Sequence, residues 1–369
     1  MILSVVTFIR RVIRFLSNLR MYFVYRNQFR HYIKINGFDA KKAPGEDEYK
    51  RVWRQLSNRV EPYSYRLFRN YCGDNPYIIP ENIGLTIIEM VLNPLQYRAV
   101  YTDKNLFPLI VGKENVPKTV ICRIGGGQLL DGNYNVISDD EANRLIEKYD
   151  SLIIKPSVGG SSGRGVKKVV NSENGKDTPP ISISHLKNFG ENFCLQETVV
   201  QSSFMKSFCK TAVNTIRLVT YRSVKDDKVK LTAAVLRIGK EGSSVDNIHS
   251  GGKYVGVDVN TGILGHALYT ADGQSAETWN NVDFKNNTFT IPNWDEIIKF
   301  SIRVGEKILH HRLLALDVAL NENNQPKLIE YNIGGFSYWL FLFTGQNIFG
   351  DETQDVIDYC KRYKKRLIY

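Results

Sequence analysis

Apolar positions along the chain change their period near residue 96. Before it they recur at helical spacing: Ile2, Val5, Val6, Ile9, Val12, Ile13, Leu16 and Leu19, then residues 49–56 and 83–92. That spacing predicts helices, interrupted at Pro44-Gly45, Asn75-Pro76 and Pro80. After it come short apolar runs at 109–111 and Thr119–Ile124, a helix near 139–148, and SLIIKP (Ser151–Pro156) as a short buried strand. Strand-like runs recur at 193–196, 216–221, 229–236, 254–259, 314–320 and 328–332, with a helix over about 294–311 before the last pair. Residues 125–127 read as a glycine turn and 171–180 as a polar surface loop. No internal repeat stands out. A helical region followed by strands with few helices predicts an α+β chain.

The 369 residues are enough for two or three domains, or for one domain with extensions. The net charge of +11 suggests an acidic partner such as nucleotide, nucleic acid or anionic lipid. Its distribution is more informative. Arg10, Arg11, Arg14, Arg20, Arg26, Arg30 and Lys34 all precede the first acid, Asp39, and Lys361, Arg362, Lys364, Lys365 and Arg366 crowd the other end. The middle of the chain is therefore near neutral, without an aromatic-studded basic motif for nucleic acid. Cys72, Cys122, Cys194, Cys209 and Cys360 show no CxxC spacing, which argues for a reducing compartment and against a disulfide framework or zinc knuckle. No apolar run approaches the length of a membrane span. MILSVVTFIRRVIRFL places its basic residues after its apolar stretch, unlike a signal peptide. The expected location is cytoplasmic. The first helix either lies on an anionic membrane surface or docks on the protein's own body.

Three stretches carry candidate chemistry. In LIIKPSVGGSSGRGVKKVV a strand ends at Lys155, and Gly159, Gly160, Ser161, Ser162, Gly163 and Gly165 follow before a second strand. Small residues free backbone amides to point at one anion, so this is a phosphate cradle or a flexible hairpin loop. It has neither the order of a P-loop nor that of a Rossmann turn. In LIEYNIGG, Glu330 and Asn332 are two apart on a strand and point to the same face. ALDVAL places Asp317 on a strand that could neighbour theirs. Converging carboxylates repel, and a shared hard cation such as magnesium relieves that cost. Turn capping or separate ion pairs would do so too. Arg217 and Arg237 sit in strands among apolar residues, as structural ion pairs or as neutralisers of phosphate charge. VDNIHSGG offers Asn247, His249, Gly251 and Gly252 to a polar substrate, with His249 as an acid–base group or as a structural or simply exposed histidine.

Lys155 with its glycine loop, LQETVV at 195–200, NTIRLVTY at 214–221 and DVAL…LIEYN resemble the ATP-grasp superfamily in order and spacing. YTDKN (101–105), VNTIRLVT and VDNIHSGG resemble its sugar-transfer-associated branch. The resemblance spans about residues 60–340. It implies an α+β fold of two subdomains clasping ATP: a helical region over 1–95, a preceding region over 96–150, a small subdomain over 151–212 with the glycine flap, and a large subdomain over 213–369 with the metal site. It also implies roles. Lys104 and Lys155 would contact ATP phosphates, with Lys155 also near the adenine. Gly159 to Gly165 would close over the phosphates. Glu197 and the backbone near Val199 would meet the adenine edge. Asp317, Glu330 and Asn332 would hold magnesium. The acid that many relatives use for ribose is not evident, Gln201 and Ser203 standing in its neighbourhood.

The implied function is ATP-dependent ligation through an acyl phosphate. A small-molecule carboxylate would be joined to an amine, or to a hydroxyl or thiol. An amino acid and a sugar acid or glycan are the implied partners, in cell-surface polysaccharide assembly. The alternatives are a phosphotransferase on a sugar-related acceptor and a non-catalytic nucleotide-binding scaffold.

Overall fold

The computed structural model describes residues 2–159, 165–170, 181–243, 246, 248 and 251–364, with side chains from residue 12 onward except at 14. The sequence-read loop at 171–180 lies outside them. The helical region opens with α1 (Ile2–Ile35), α2 (Glu46–Arg54) and α3 (Tyr63–Cys72). Next, α4 (Glu81–Ile83) runs through a π turn over Gly84–Ile88 into α5 (Glu89–Leu92). Short α6 (Arg98–Thr102) and α7 (Phe107–Val111) lead to the first strand. The apolar run at 109–111 is thus helical, with Pro108 in its first turn and Gly112 just beyond its end, the usual asymmetry of helix boundaries.

Two antiparallel sheets follow. The first contains β1 (Thr119–Ile124), β2 (Gln128–Asp131), β3 (Ser151–Pro156), β4 (Lys167–Val170) and β5 (Phe193–Glu197), in the order β2-β1-β5-β3-β4. Residues 119–131 therefore share a sheet with the strands that flank the glycine loop. One face is covered by α8 (Asp139–Ile146) and α9 (Ile183–Lys187), through Ala142, Ile146, Ile183 and Leu186. A reciprocal Ser138–Glu141 capping box starts α8 and satisfies its first free amides.

The second sheet has seven strands. They are β6 (Thr215–Arg222), β7 (Val229–Ile238), β8 (Lys253–Val257), β9 (Leu264–Tyr269), β10 (Ser275–Ala276), β13 (Leu313–Leu320) and β14 (Pro326–Asn332). Their order is β10-β9-β8-β7-β6-β13-β14. The small hairpin of β11 (Thr278–Trp279) and β12 (Val282–Asp283) stands apart. Helix α10 (Ser203–Lys206) precedes β6 and α11 (Trp294–Lys307) precedes β13. One face of the sheet packs Ile216, Leu218, Leu236 and Leu316 against Ile297, Phe300 and Val304 of α11. The other packs Val219, Ala233, Val235 and Ala315 under the helical region, α12 (Tyr338–Leu342) and α13 (Thr353–Tyr363). Alternation along β6 and β13 puts Arg217 and Asp317 on this second face, two residues from Val219 and Ala315.

The helical region is tied to this face in two ways. Phe343 meets Phe68 of α3 edge-on at 4.9 Å, and Phe68 meets Phe29 of α1 at 5.2 Å. In addition, two buried glutamates reach the loop after β14. Glu89 accepts from the backbone amides of Gly335 (2.7 Å) and Phe336 (3.0 Å). Glu81 accepts from those of Tyr338 and Trp339, both at 3.1 Å. Both carboxylates thus close on one short segment, although eight residues separate them and a π turn lies between. Burial pushes Glu89 up to about 7, its two amide donors only partly opposing, and holds Glu81 well above the usual carboxylate range.

A Cβ at Gly84 would lie 2.5 Å from the ring of Tyr338, which is fully buried. Gly84→Ala should therefore cost about 1–3 kcal/mol by overpacking, read from the urea midpoint. The folded pKa of Glu89 is raised above its unfolded value of about 4.3, so its contribution is full below that value and is lost as pH rises through about 7. Glu89→Gln should flatten the stability profile between about pH 5 and 8. A slope unchanged from wild type would show that Glu89 does not titrate there.

Candidate functional site

A cleft of about 390 Å³ opens between the two sheets. Its first wall carries Ile153 and Lys155 of β3, Val166, and Gln196 and Glu197 of β5 with Thr198 and Val199 beyond. Its second wall carries Thr215, Arg217, Arg237, Asp317, Ile329, Glu330 and Asn332. Gly334, Gly335, Ser337, Trp339 and Leu340 close one end, on the segment gripped by Glu81 and Glu89.

Strand register assembles the second wall. Arg217 pairs with Asp317, and Asp317 with Glu330, so one cross-strand row spans β6, β13 and β14. Thr215 pairs with Arg237 on β7. The Arg217 guanidinium donates to both Asp317 oxygens at 2.8 Å. Arg237 lies 3.4 Å from Asp317 and also forks onto Asp246 at 3.0 Å. Thr215 donates its hydroxyl to Asp246. Burial alone would raise the Asp317 pKa, but Arg217 and Arg237 outweigh it and hold the carboxyl below the usual range. Asp246 goes the other way: burial raises it despite Arg237.

A bulge shapes β14. Asp317 faces Glu330 while Val318 faces Leu328, leaving Ile329 as the extra residue. The Ile329 carbonyl accepts instead from Lys155 Nζ at 3.2 Å, a hydrogen bond that crosses the cleft from the first sheet to the second. Burial pushes the Lys155 ammonium down, opposed by the nearby Cys194 and Glu330. Lys104 is also buried; its ammonium pairs with Glu330 at 3.2 Å and its amide donates to the Ser157 carbonyl.

Asp317, Glu330, Asn332, Arg217, Arg237, Lys155, Glu197 and Val199 thus face one cleft, with Lys104 joined to it through Glu330. The mutual repulsion of the carboxylates is relieved by side-chain cations. Glu197 pairs with Lys118 at 3.1 Å. Gly159 and Gly165 both have positive φ, and at Gly165 a Cβ would press on Pro156 at 2.9 Å, so the turn before β4 requires glycine. Gly160, Ser161, Ser162, Gly163, Asn247 and His249 lie outside the described residues. Gly251 and Gly252 do not line the cleft, although Asp246 and Ile248 of the same loop do.

Sequence reading missed Asp246 and Thr215. Thr215 was legible in principle, being two residues from Arg217 and so on its face. Asp246 needed the fold, because only packing brings its loop to Arg237. Gln201, in the ribose neighbourhood, is structural: its amide donates to the carbonyls of Cys209 and Ala212 and accepts from the Asn214 amide.

The donor chemistry fits magnesium and a nucleotide. Among the described residues no three His, Cys, Asp or Glu side chains converge as a ready-made metal cluster. Two carboxylates and one amide oxygen are instead the kind of partial set magnesium takes when phosphates and water complete its shell. Among the described residues Asn332 Nδ2, on the cleft wall, is buried without a hydrogen-bond partner, as expected where a polar ligand should sit.

Two sheets closing on a lysine-bridged, carboxylate-lined cleft define the ATP-grasp class. The family described as sugar-transfer associated ATP-grasp matches residues 89–353, and the chain belongs to it. No curated protein matches. Among solved structures, the chain is similar to the ATP-grasp ligase PsnB complexed with a phosphomimetic variant of its minimal precursor, Mg and ADP, at 12% identity and a TM-score of 0.42. That match covers 73% of this chain and 61% of the PsnB chain, so this chain spans less than two thirds of that relative's length. A D-alanine–D-alanine ligase from Bacillus anthracis matches at 14% identity and TM-score 0.39, covering 73% of this chain and 69% of its own. The biotin carboxylase domain of a Hydrogenobacter thermophilus 2-oxoglutarate carboxylase matches at 11% and 0.42, covering 73% and 46%.

Asp317→Asn removes the buried charge that neutralises two partly buried guanidiniums and should cost about 3–5 kcal/mol. The folded pKa of Asp317 is depressed, so its stabilisation is full above the unfolded value of about 3.9 and is lost as pH falls through the folded value. The wild-type advantage over the variant, measured by urea denaturation, should be constant near neutrality and shrink below about pH 4.

Proposed function

We propose that the protein is an ATP-dependent ligase that activates a carboxylate as an acyl phosphate and joins it to an amine or, as second choices, a hydroxyl or thiol. The observation that carries this reading is the Lys155–Ile329 bond, which brings the glycine-loop strand of one sheet beside the Asp317–Glu330 row of the other. Pro117, Ile153, Val166, Val199 and Val213 supply apolar surface suited to a flat base. Glu197 and the Val199 backbone would read the base's edge. Lys104 and Lys155 would hold phosphates, with the glycine flap over them.

Around the Asp317–Glu330 row four cations (Lys104, Lys155, Arg217 and Arg237) stand against three carboxylates (Asp246, Asp317 and Glu330), Glu197 being balanced by Lys118, which favours an anionic guest. Asp317, Glu330 and Asn332 would hold magnesium, which when bound offsets phosphate charge as a Lewis acid. Arg217 and Arg237 would then turn toward the γ-phosphate and the carboxylate that receives it. A carboxylate oxygen attacks the γ-phosphorus, the bond to the bridging oxygen breaks, and ADP leaves. The amine next attacks the acyl carbon, phosphate departs and the amine's proton passes to solvent. These residues contribute positioning and charge neutralisation, with no nucleophilic side chain. Asp246, Ile248, Trp339 and Leu340, with Asn247 and His249 of the same loop, would form the acceptor end. A sugar acid or glycan and an amino acid, in surface polysaccharide assembly, are the first pair to test, a reading supported by the family's description as sugar-transfer associated.

The test is a screen of amino acids and uronic acids for substrate-stimulated ADP release with magnesium. Hydroxylamine should trap a hydroxamate, and Lys155→Met and Glu330→Gln should each lower turnover at least about 100-fold. ADP release without hydroxamate would point to phosphotransfer to a hydroxyl. Silence across the screen, or turnover unchanged in both variants, would overturn the ligase reading.

A further inference from the structure

The outward face of α1 is one continuous strip. Val12, Ile13, Leu16, Arg20, Phe23, Val24, Asn27, Arg30, His31 and Lys34 are all exposed, at the three- and four-residue spacing of a single helix face. Phe29 and Ile33 lie on the opposite side, buried in the core. The strip is divided along its length. Its first half is apolar, with Ile13 61% and Leu16 55% exposed. Its second half carries Arg30, His31 and Lys34, which with Asn27, Phe38 and Ala40 line a surface groove of about 460 Å³. Arg20 sits within the apolar half, between Leu16 and Phe23, on a stem long enough to lift its charge clear of apolar surroundings.

Arg20, Arg30 and Lys34 have no ion-pair partner among the described residues, and no acid precedes Asp39 in the chain. The helix continues to Ile2, giving a rod of about 50 Å. No helix among the described residues is long and apolar enough to cross a membrane.

We propose that this strip docks the protein on an anionic phospholipid surface, with the apolar half entering the headgroup boundary and the basic groove holding lipid phosphates. Charge selects this occupant. A nucleic acid would satisfy the basic half but leave Ile13, Leu16 and Phe23 against phosphates. A second copy of the chain would set Arg20, Arg30 and Lys34 against their own kind or against the apolar half. A lipid surface alone offers phosphates and hydrocarbon side by side, at the depths a helix lying flat can reach. The inference stands independently of the chemistry in the cleft.

The experiment is co-sedimentation of the full chain with vesicles of phosphatidylcholine alone and of phosphatidylcholine with phosphatidylglycerol. The wild type should pellet with the anionic vesicles only and be released by high salt. Ile13→Glu/Leu16→Glu and Arg30→Glu/Lys34→Glu should each weaken partitioning at least about tenfold. Thermal unfolding midpoints matching wild type would show that both exposed-site variants remain folded. The proposal is overturned by no binding to anionic vesicles, by equal binding to neutral ones, or by binding that both variants leave intact. A wild-type dimer in light scattering that Ile13→Glu/Leu16→Glu dissolves would assign the strip to a second copy instead.

Discussion

A buried carboxylate flanked by two guanidiniums organises this molecule. Asp317 lies in the middle of β13, a strand buried along its whole length, where an unpaired charge could not persist. Antiparallel register supplies its partners: Arg217 from one neighbouring strand, Glu330 from the other, and Lys104 to balance Glu330 in turn. The polar row tolerates burial because each charge has a close counter-charge held by backbone pairing. In the proposed ligase a metal–nucleotide complex would enter this row, exchanging side-chain cations for magnesium and side-chain anions for phosphates.

The bulge at Ile329 is the second consequence of that register. β14 is the edge strand of its sheet, and Ile329 stands outside its pairing with β13, so Lys155 takes its carbonyl from across the cleft. That bond and the Lys104–Glu330 pair, with the Lys104 amide on the Ser157 carbonyl, join two sheets that otherwise have separate cores.

The helical region is more than a preface to the family-matched segment, which begins at Glu89. Glu81 and Glu89 accept hydrogen bonds from four backbone amides of the segment that ends the cleft, a segment that also contains Ser337 with a positive φ. A loop with Gly334, Gly335 and a left-handed serine has little shape of its own. Its shape is imposed by carboxyl groups from another part of the chain, so this end of the cleft is built jointly by the first hundred residues and the segment after the last strand.

Local pattern was enough to place the helical region, most strands of the large sheet and the shared face of Glu330 and Asn332, because helix and strand periods are properties of neighbouring residues. It passed over β9, where Gly265 and His266 interrupt the apolar alternation, and it left residues 109–111 without their helix, whose boundaries lie in Pro108 and Gly112. Motif resemblance added the superfamily, since lysine, glycine loop and late acids keep their order along the chain whatever their distance in space. What the chain's order could not express is proximity across long separations: Lys155 to Ile329, Arg237 to Asp246 and Asp317 together, Glu89 to Gly335. Those contacts exist only when two sheets and a helical layer close on one another, because a buried charge finds its partner by packing and register, neither of which is written in the spacing of the residues themselves.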